Sequence, residues 1–173
     1  MPDTKISGLA QVTAFATTLE FPVNDSGVSH KITGTQLAAA FPQGTLSGGY
    51  AQVTAAQSPI TVLVAVTGVT VTVTVGAGRR IKVTTFVPMV STTATDTLGV
   101  AIYEGANQLA IQWIALSATG GSGFGSPLAT VLTPSAGAHT YFAQCLRVAG
   151  AGTVSTGAGI TNPAWILAED IGV

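Results

Sequence analysis

The sequence predicts an all-β protein: a jelly-roll-like antiparallel β-sandwich preceded by a small hairpin-plus-helix attachment module. Three observations lead there. From Ile60 onward apolar and polar residues alternate with period two, most plainly in Val69-Thr70-Val71-Thr72-Val73-Thr74-Val75. That is the pattern of a strand with one buried face. Clusters of Gly, Asn and Pro, such as Gly76-Ala77-Gly78 and Gly105-Ala106-Asn107, separate the runs as turns between strands do. No helical period of useful length occurs in this region.

Residues 1–42 are the expected attachment module. Two short extended runs, Leu19-Glu20-Phe21-Pro22-Val23 and Val28-Ser29-His30-Lys31-Ile32-Thr33, flank Asn24-Asp25-Ser26-Gly27. Asx and Gly residues in that position predict a β-hairpin. Pro22 lacks a backbone N–H, so its strand is an edge. Thr33 with Gln36 three residues on has capping-box spacing. A short helix is therefore expected, with Leu37, Ala40 and Phe41 on its apolar face and Pro42 as its stop. A module with so few large apolar groups makes little core alone and should dock on something else.

Residues 43–59 are rich in Gly, Ser, Gln and Ala and read as a linker or arm, with Tyr50 and Val53 as anchors against a neighbour. Residues 60–173 are the expected β-sandwich, which is also the oligomerisation domain. Strands are expected over residues 61–66, 69–75, 81–89, 98–103, 110–116, 128–132, 140–148 and 164–171. Eight strands at this spacing suggest a two-sheet jelly roll. An immunoglobulin-like sandwich is the competing arrangement, but the Cys…Trp…Cys pattern is missing. Ala164-Trp165-Ile166-Leu167-Ala168 is apolar on both parities. One face of that strand is then core and the other a subunit contact, which singles out Trp165, Ile166 and Leu167.

Charged residues make up 8% of the chain and the net charge is -1, against roughly 25% charged residues in an average soluble domain. So little self-repulsion favours association; the competing reading is a monomer solvated by Thr and Ser hydroxyls. Of the cations, only Arg79, Arg80 and Lys82 cluster, and they read as the solvated end of a strand. No nucleic-acid partner is expected from so sparse a positive charge. The most apolar stretch, residues 60–75, is β-branched and interrupted by threonines and Gly68, so no membrane-spanning helix is expected. Met1 to Ser7 leads into no apolar segment, so no export signal is expected either.

Catalytic chemistry finds little support. The β-region's carboxylates are Asp96, Glu104, Glu169 and Asp170. Glu169 and Asp170 are adjacent and on a strand point to opposite faces. His30 and His139 are isolated and read as turn or surface residues. Gly120-Gly121-Ser122-Gly123-Phe124 matches neither a nucleophile elbow nor a phosphate loop and reads as a flexible loop. Cys145, the single cysteine, sits in a strand-like run as a buried small hydrophobe. No enzyme activity, metal or cofactor is expected. Trp113, Trp165, Tyr50, Tyr103 and Tyr141 suit core or interface packing, with a carbohydrate site as the alternative.

Two stretches resemble tailed-bacteriophage virion structural proteins. The opening, Thr4-Lys5-Ile6-Ser7-Gly8-Leu9 followed by Leu19-Glu20-Phe21-Pro22-Val23, His30-Lys31-Ile32-Thr33 and Leu37-Ala38-Ala39-Ala40-Phe41, is similar to an N-terminal module of such proteins. His30 stands where the first of two basic residues is common in that module. The ending, Pro163 to Gly172, resembles the Leu-x-Val-Glu-Asp-Ile-Gly close of phage structural β-domains. The resemblance implies a trimeric jelly-roll knob of the capsid-decoration or head-fibre type. It implies a homotrimer bound to the major capsid protein or another virion protein, located in the virion after assembly in the host cytoplasm. Leu19, Phe21, Val23, Ile32, Leu37 and Phe41 are then the expected capsid-attachment residues. The competing function is a tail-fibre or baseplate tip binding host-surface glycans through loops near residues 92–96 and 120–126. Absence of coiled-coil heptads and of a collagen-like run favours the head over the tail.

Overall fold

Valine and threonine sort to opposite sides of the chain in the computed structural model, which describes residues 20–25, 28–33, 36, 44–91, 96–115, 122–123, 125 and 127–173. The chain divides into two compact units, Met1–Phe41 and Pro42–Val173. In the first, β1 (Glu20–Asp25) and β2 (Val28–Thr33) pair antiparallel, with Phe21 opposite Ile32 and Val23 opposite His30. Thr33 and Gln36 exchange the two bonds of a capping box: the Thr33 N–H donates to Gln36 Oε1 at 2.9 Å and the Gln36 N–H to Thr33 Oγ1 at 3.2 Å. Apart from Gln36, the helix expected after Thr33 lies outside the described residues.

The second unit contains β3 (Gly44–Val53), β4 (Val64–Val75), β5 (Arg80–Phe86), β6 (Met89–Ser91), β7 (Thr97–Glu104) and β8 (Asn107–Ala115). They are followed by β9 (Ser122–Gly123), β10 (Leu128–Leu132), β11 (Gly137–Ala149), β12 (Val154–Thr156) and β13 (Ala164–Gly172). Two four-stranded sheets have the orders β10-β5-β13-β3 and β4-β11-β7-β8. The antiparallel pairs are nested: β3 with β13, β4 with β11, β5 with β10 and β7 with β8. One long hairpin with its tip at Gly105-Ala106, rolled up so that successive pairs fall in alternate sheets, gives this order. It is the jelly roll, and the expected fold class stands. A small sheet, β12-β6-β9, closes one end.

The core lies between the two large sheets. Val66, Val69, Val71, Val73 and Val75 of β4 point into it, and Thr70, Thr72 and Thr74 point out. Ile81 and Val83 of β5, Leu98 and Ile102 of β7, Tyr141 of β11 and Ile166 of β13 complete it. Each fully buried aliphatic side chain contributes about 1.5–3 kcal/mol relative to exposure.

Several expectations are corrected. The segment read as a linker carries β3, the edge strand beside β13. Gly49 in it answers to close packing: a Cβ there would lie 2.6 Å from the Ala168 carbonyl oxygen and 2.7 Å from that of Leu46. Beyond β3, Gln57 clips the connection in place. Its side-chain amide donates to the Ala65 carbonyl at 3.1 Å and accepts from the Thr67 N–H at 2.9 Å, while its backbone oxygen accepts from the Thr156 N–H at 3.0 Å. The two strands expected over residues 61–66 and 69–75 are one strand, β4, whose pairing with β11 shifts register between Phe142 and Gln144. The single run expected over residues 81–89 breaks at Val87-Pro88 into β5 and β6, which belong to different sheets. Ser122–Gly123, expected within a loop, pairs with β6.

Candidate functional site

Residues 42–173 carry four cations, Arg79, Arg80, Lys82 and Arg147, and four acids, Asp96, Glu104, Glu169 and Asp170, so their formal charges cancel. Most of these groups answer one another. Arg79 and Asp170 form a buried forked ion pair. Lys82 Nζ lies 3.8 Å from Glu169 Oε2 on the outer surface. Glu104 Oε1 meets His139 Nδ1 at 2.5 Å. Asp96 accepts from Ser91 Oγ at 2.6 Å and from the Gly152 N–H at 3.2 Å, and Arg147 Nη1 donates to the Gly152 carbonyl at 2.5 Å. The Ser91 hydrogen bond is the largest influence on Asp96; with Gly152 and Arg147 it outweighs burial and lowers the carboxyl pKa.

Arg79 was expected at a solvated strand end. It is buried, because the turn at Gly76-Ala77-Gly78 folds its side chain back onto the end of β13. His139 was expected at a turn or on the surface. It lies on β11 with its side chain largely covered, stacked on Tyr141. Glu169 and Asp170 do point to opposite faces, one toward Lys82 and the other toward Arg79.

Two groups with nucleophilic or acid–base chemistry are held in their protonated form. Burial pushes the Cys145 thiol up to about 12, so it stays protonated. Burial also pushes the Tyr141 hydroxyl up to about 12, with the Glu104 charge adding to it. Among the described residues no group of three or more His, Cys, Asp or Glu is placed to hold a metal ion. A cleft of about 450 Å³ between β3 and β4 is lined by Val53, Gln57, Val66 and Thr67, with no titratable group. No helix among the described residues is long and apolar enough to cross a membrane.

The outer faces of the sheets hold several of the exposed apolar groups, while Val62, Ile160 and Val173 lie outside the strands. On β10-β5-β13-β3, the Phe86 and Trp165 rings stack with centroids 6.3 Å apart. Leu167 sits opposite Tyr50, whose hydroxyl donates to Gln52 Oε1 at 2.7 Å. Arg80, Lys82 and Glu169 share this side of the sandwich. On β4-β11-β7-β8 the outward rows read Thr72 beside Thr140, then Thr70, Phe142, Tyr103 and Gln108, then Ala65, Gln144, Ala101 and Ile111. Leu146, Gly99 and Trp113 form the next row. Gly99 makes room there: a Cβ on it would lie 2.4 Å from Leu146 Cδ2. Trp113 is 55% exposed, Val148 47% and Leu63 44%.

Of the residues singled out from sequence, Ile166 is in the core, whereas Trp165 and Leu167 are half-buried on the outer face. Phe21 and Val23 lie on β1 and Ile32 on β2; Leu19, Leu37 and Phe41 lie outside the described residues. The five aromatics considered for a carbohydrate site are not brought together: Tyr141 is in the core, Tyr50 and Trp165 face out from one sheet, and Tyr103 and Trp113 from the other. Of the glycan-loop residues, 92–95 lie outside the described residues and Asp96 is buried. Sequence reasoning did not single out Leu146, Val148 and Leu63; the threonine alternation of β4 was the one signal that the neighbouring face is uncharged.

No protein-family model matches the chain, and no curated protein matches it. Solved structures similar to it include the infectious bursal disease virus VP2 subviral particle, 11% identical, covering 87% of this chain and 38% of that chain with TM-score 0.42. Another is the Gx strain of the same virus, 11% identical over 89% of this chain and 43% of that chain, TM-score 0.33. A third is its T13 viral particle, 12% identical over 88% and 41%, TM-score 0.35. The chain spans about two-fifths of the length of these proteins.

Proposed function

We propose that this chain is a virion structural protein of the capsid-decoration or head-fibre type, which anchors through its N-terminal unit and displays the jelly roll as a homotrimer. The observation that carries the reading is the distribution of charge. Most charged groups of residues 42–173 answer one another, and a whole outer sheet face is left with hydroxyl, amide and apolar groups. A freely diffusing domain normally carries interspersed charge over its surface. An assembled one gains by burying such a face, at about 25 cal/mol per Å² before the entropy of association is subtracted. The division into two units supports a separate anchor, and the resemblance of both chain ends to phage virion proteins supports the particle as its setting.

On this reading Leu19, Phe21, Val23, Ile32, Leu37 and Phe41 contact the major capsid protein or another virion protein. Three linked anchors bind with an avidity greater than one alone. The mass of the purified full chain in solution tests the assembly: a trimer is expected, and a monomer at micromolar concentration would sink the proposal. Mixing the chain with particles that lack it tests the anchor. Wild type is expected to co-sediment and Ile32→Asp to remain free.

A further inference from the structure

We infer that the outer face of the β4-β11-β7-β8 sheet is the self-association surface, turned inward against further copies of this chain; the inference rests on the assembly reading above and names its interface. Both outer sheet faces carry apolar groups; three observations bear on this one, and the first separates it from the other.

The first is charge. Arg80, Lys82 and Glu169 lie on the outer side of the β10-β5-β13-β3 sheet. The outward residues of the other sheet include no charged side chain from Thr74 and Ala138 at one end to Leu146 and Trp113 at the other. Arg147 and Glu104, on β11 and β7, belong to the inward set and are engaged with Gly152 and His139. A charged partner would strand its own charges on such a face. An identical copy would not.

The second is the chemistry of the polar groups present. Thr70, Thr72, Thr74 and Thr140 are exposed, and the Thr72 and Thr140 hydroxyls already bond each other at 2.8 Å. A hydroxyl both donates and accepts. Symmetry-related threonines therefore satisfy one another across an axis, which like charges cannot do.

The third is shape and extent. Leu146 and Trp113 close over Gly99, and Leu63 leads into β4 beside them. Four strands about 4.8 Å apart and about eight residues long present a footprint of roughly 500 Å². That is more than half of the ~800 Å² per partner in a standard interface. Leu63, next to the Cys145–Val64 pair, and Val148 at the end of β11 are exposed at the same end.

The test places one lysine on each face of the full chain and measures mass in solution. Thr72→Lys and Trp113→Lys are expected to reduce the mass about threefold, to the monomer, with the β-sheet circular dichroism of wild type. Val131→Lys, on an exposed position of the opposite sheet, is expected to leave the mass unchanged. In a second measurement, Thr72→Cys under oxidising conditions is expected to give a covalent dimer on a non-reducing gel. Retention of the oligomer by both Thr72→Lys and Trp113→Lys, or dissociation by Val131→Lys alone, would overturn the inference and leave the assembly reading standing. A monomeric wild type would remove both.

Discussion

Arg79 and Asp170 stand 91 positions apart in the chain and meet in a forked ion pair, Nε to Oδ2 at 2.8 Å and Nη2 to Oδ1 at 2.7 Å, with both side chains buried. The pair ties the start of β5 to the end of β13, and the Gly172 N–H donates to the same carboxylate at 2.9 Å. Burial alone would raise the Asp170 pKa; the hydrogen bonds from Arg79 and Gly172 outweigh it and hold the group below its ordinary value. Removing one member leaves the other charge buried without its counter-ion. Asp170→Asn is expected to cost about 3–5 kcal/mol in urea unfolding. Replacing both residues by apolar groups of similar volume should recover most of that loss. A near-wild-type urea midpoint for Asp170→Asn would show that the pair contributes nothing. Because the folded pKa is depressed, this stabilisation is present above the ordinary Asp pKa and is lost as pH falls through the folded value.

His139 predicts the opposite pH limb. Its Nδ1 faces Glu104 Oε1 and its Nε2 faces the Ser135 carbonyl at 2.9 Å. Both partners are acceptors when Glu104 is ionised, so the two bonds form together only when each nitrogen carries a proton. The Glu104 hydrogen bond is the largest influence and raises the pKa above 6.5, against the opposing effect of burial. A raised folded pKa gives stability that is complete below the unfolded value and is lost as pH rises through the folded one. Urea midpoints should therefore fall across neutral to mildly alkaline pH. His139→Gln should flatten that slope. Cys145 and Tyr141, both pushed up to about 12 by burial, add a fall of the same sign only above their ordinary values of 9.0 and 10.0, so the His139 contribution is read below pH 9. A slope unchanged in His139→Gln would assign the effect elsewhere.

Much of the fold was legible in the chain because residues 69–75 of β4 and 80–84 of β5 alternate apolar with polar side chains, and alternation is a local property. The expected run over residues 128–132 coincides with β10, bounded by Pro127 and Thr133. β3 was not legible, because its glycines look like a flexible linker until Ala168 is seen to leave no room for a Cβ at Gly49. Arg79 looked solvated beside Arg80 because its partner is long-range. The apolar outer face was hidden for the same reason. Leu146, Gly99 and Trp113 form one row only after β11, β7 and β8 have paired.

Ile166 and Leu167 test the two faces of β13 side by side. Ile166 is fully buried between the sheets, and Leu167 is half-buried on the outer side opposite Tyr50. Ile166→Ala is expected to cost about 2–5 kcal/mol, the range for a large-to-small change in a packed core. Leu167→Ala should cost about 1 kcal/mol or less, since much of its surface already meets water. Equal losses at the two positions would mean that both faces of β13 are sealed within a single chain.

Gly150 and Gly78 separate backbone strain from overlap. Both have positive φ, +101° and +72°. A Cβ at Gly78 meets nothing within 4 Å, whereas one at Gly150 would lie 1.7 Å from Asp96 Oδ1. Gly78→Ala therefore carries only the conformational penalty, about 1 kcal/mol at a left-handed position. Gly150→Ala carries a comparable penalty and must also displace a carboxylate that accepts from Ser91 and Gly152. The Gly150 variant should be the less stable of the two in thermal unfolding. Measured against Asp96→Gly as background, its deficit should shrink but not vanish: the carboxylate is then gone, while the Cα of position 96 stays 2.9 Å from the added Cβ. If the two alanine variants melt together, Asp96 moves aside freely and the Ser91–Asp96–Gly152 bonds do not hold that end of the sandwich.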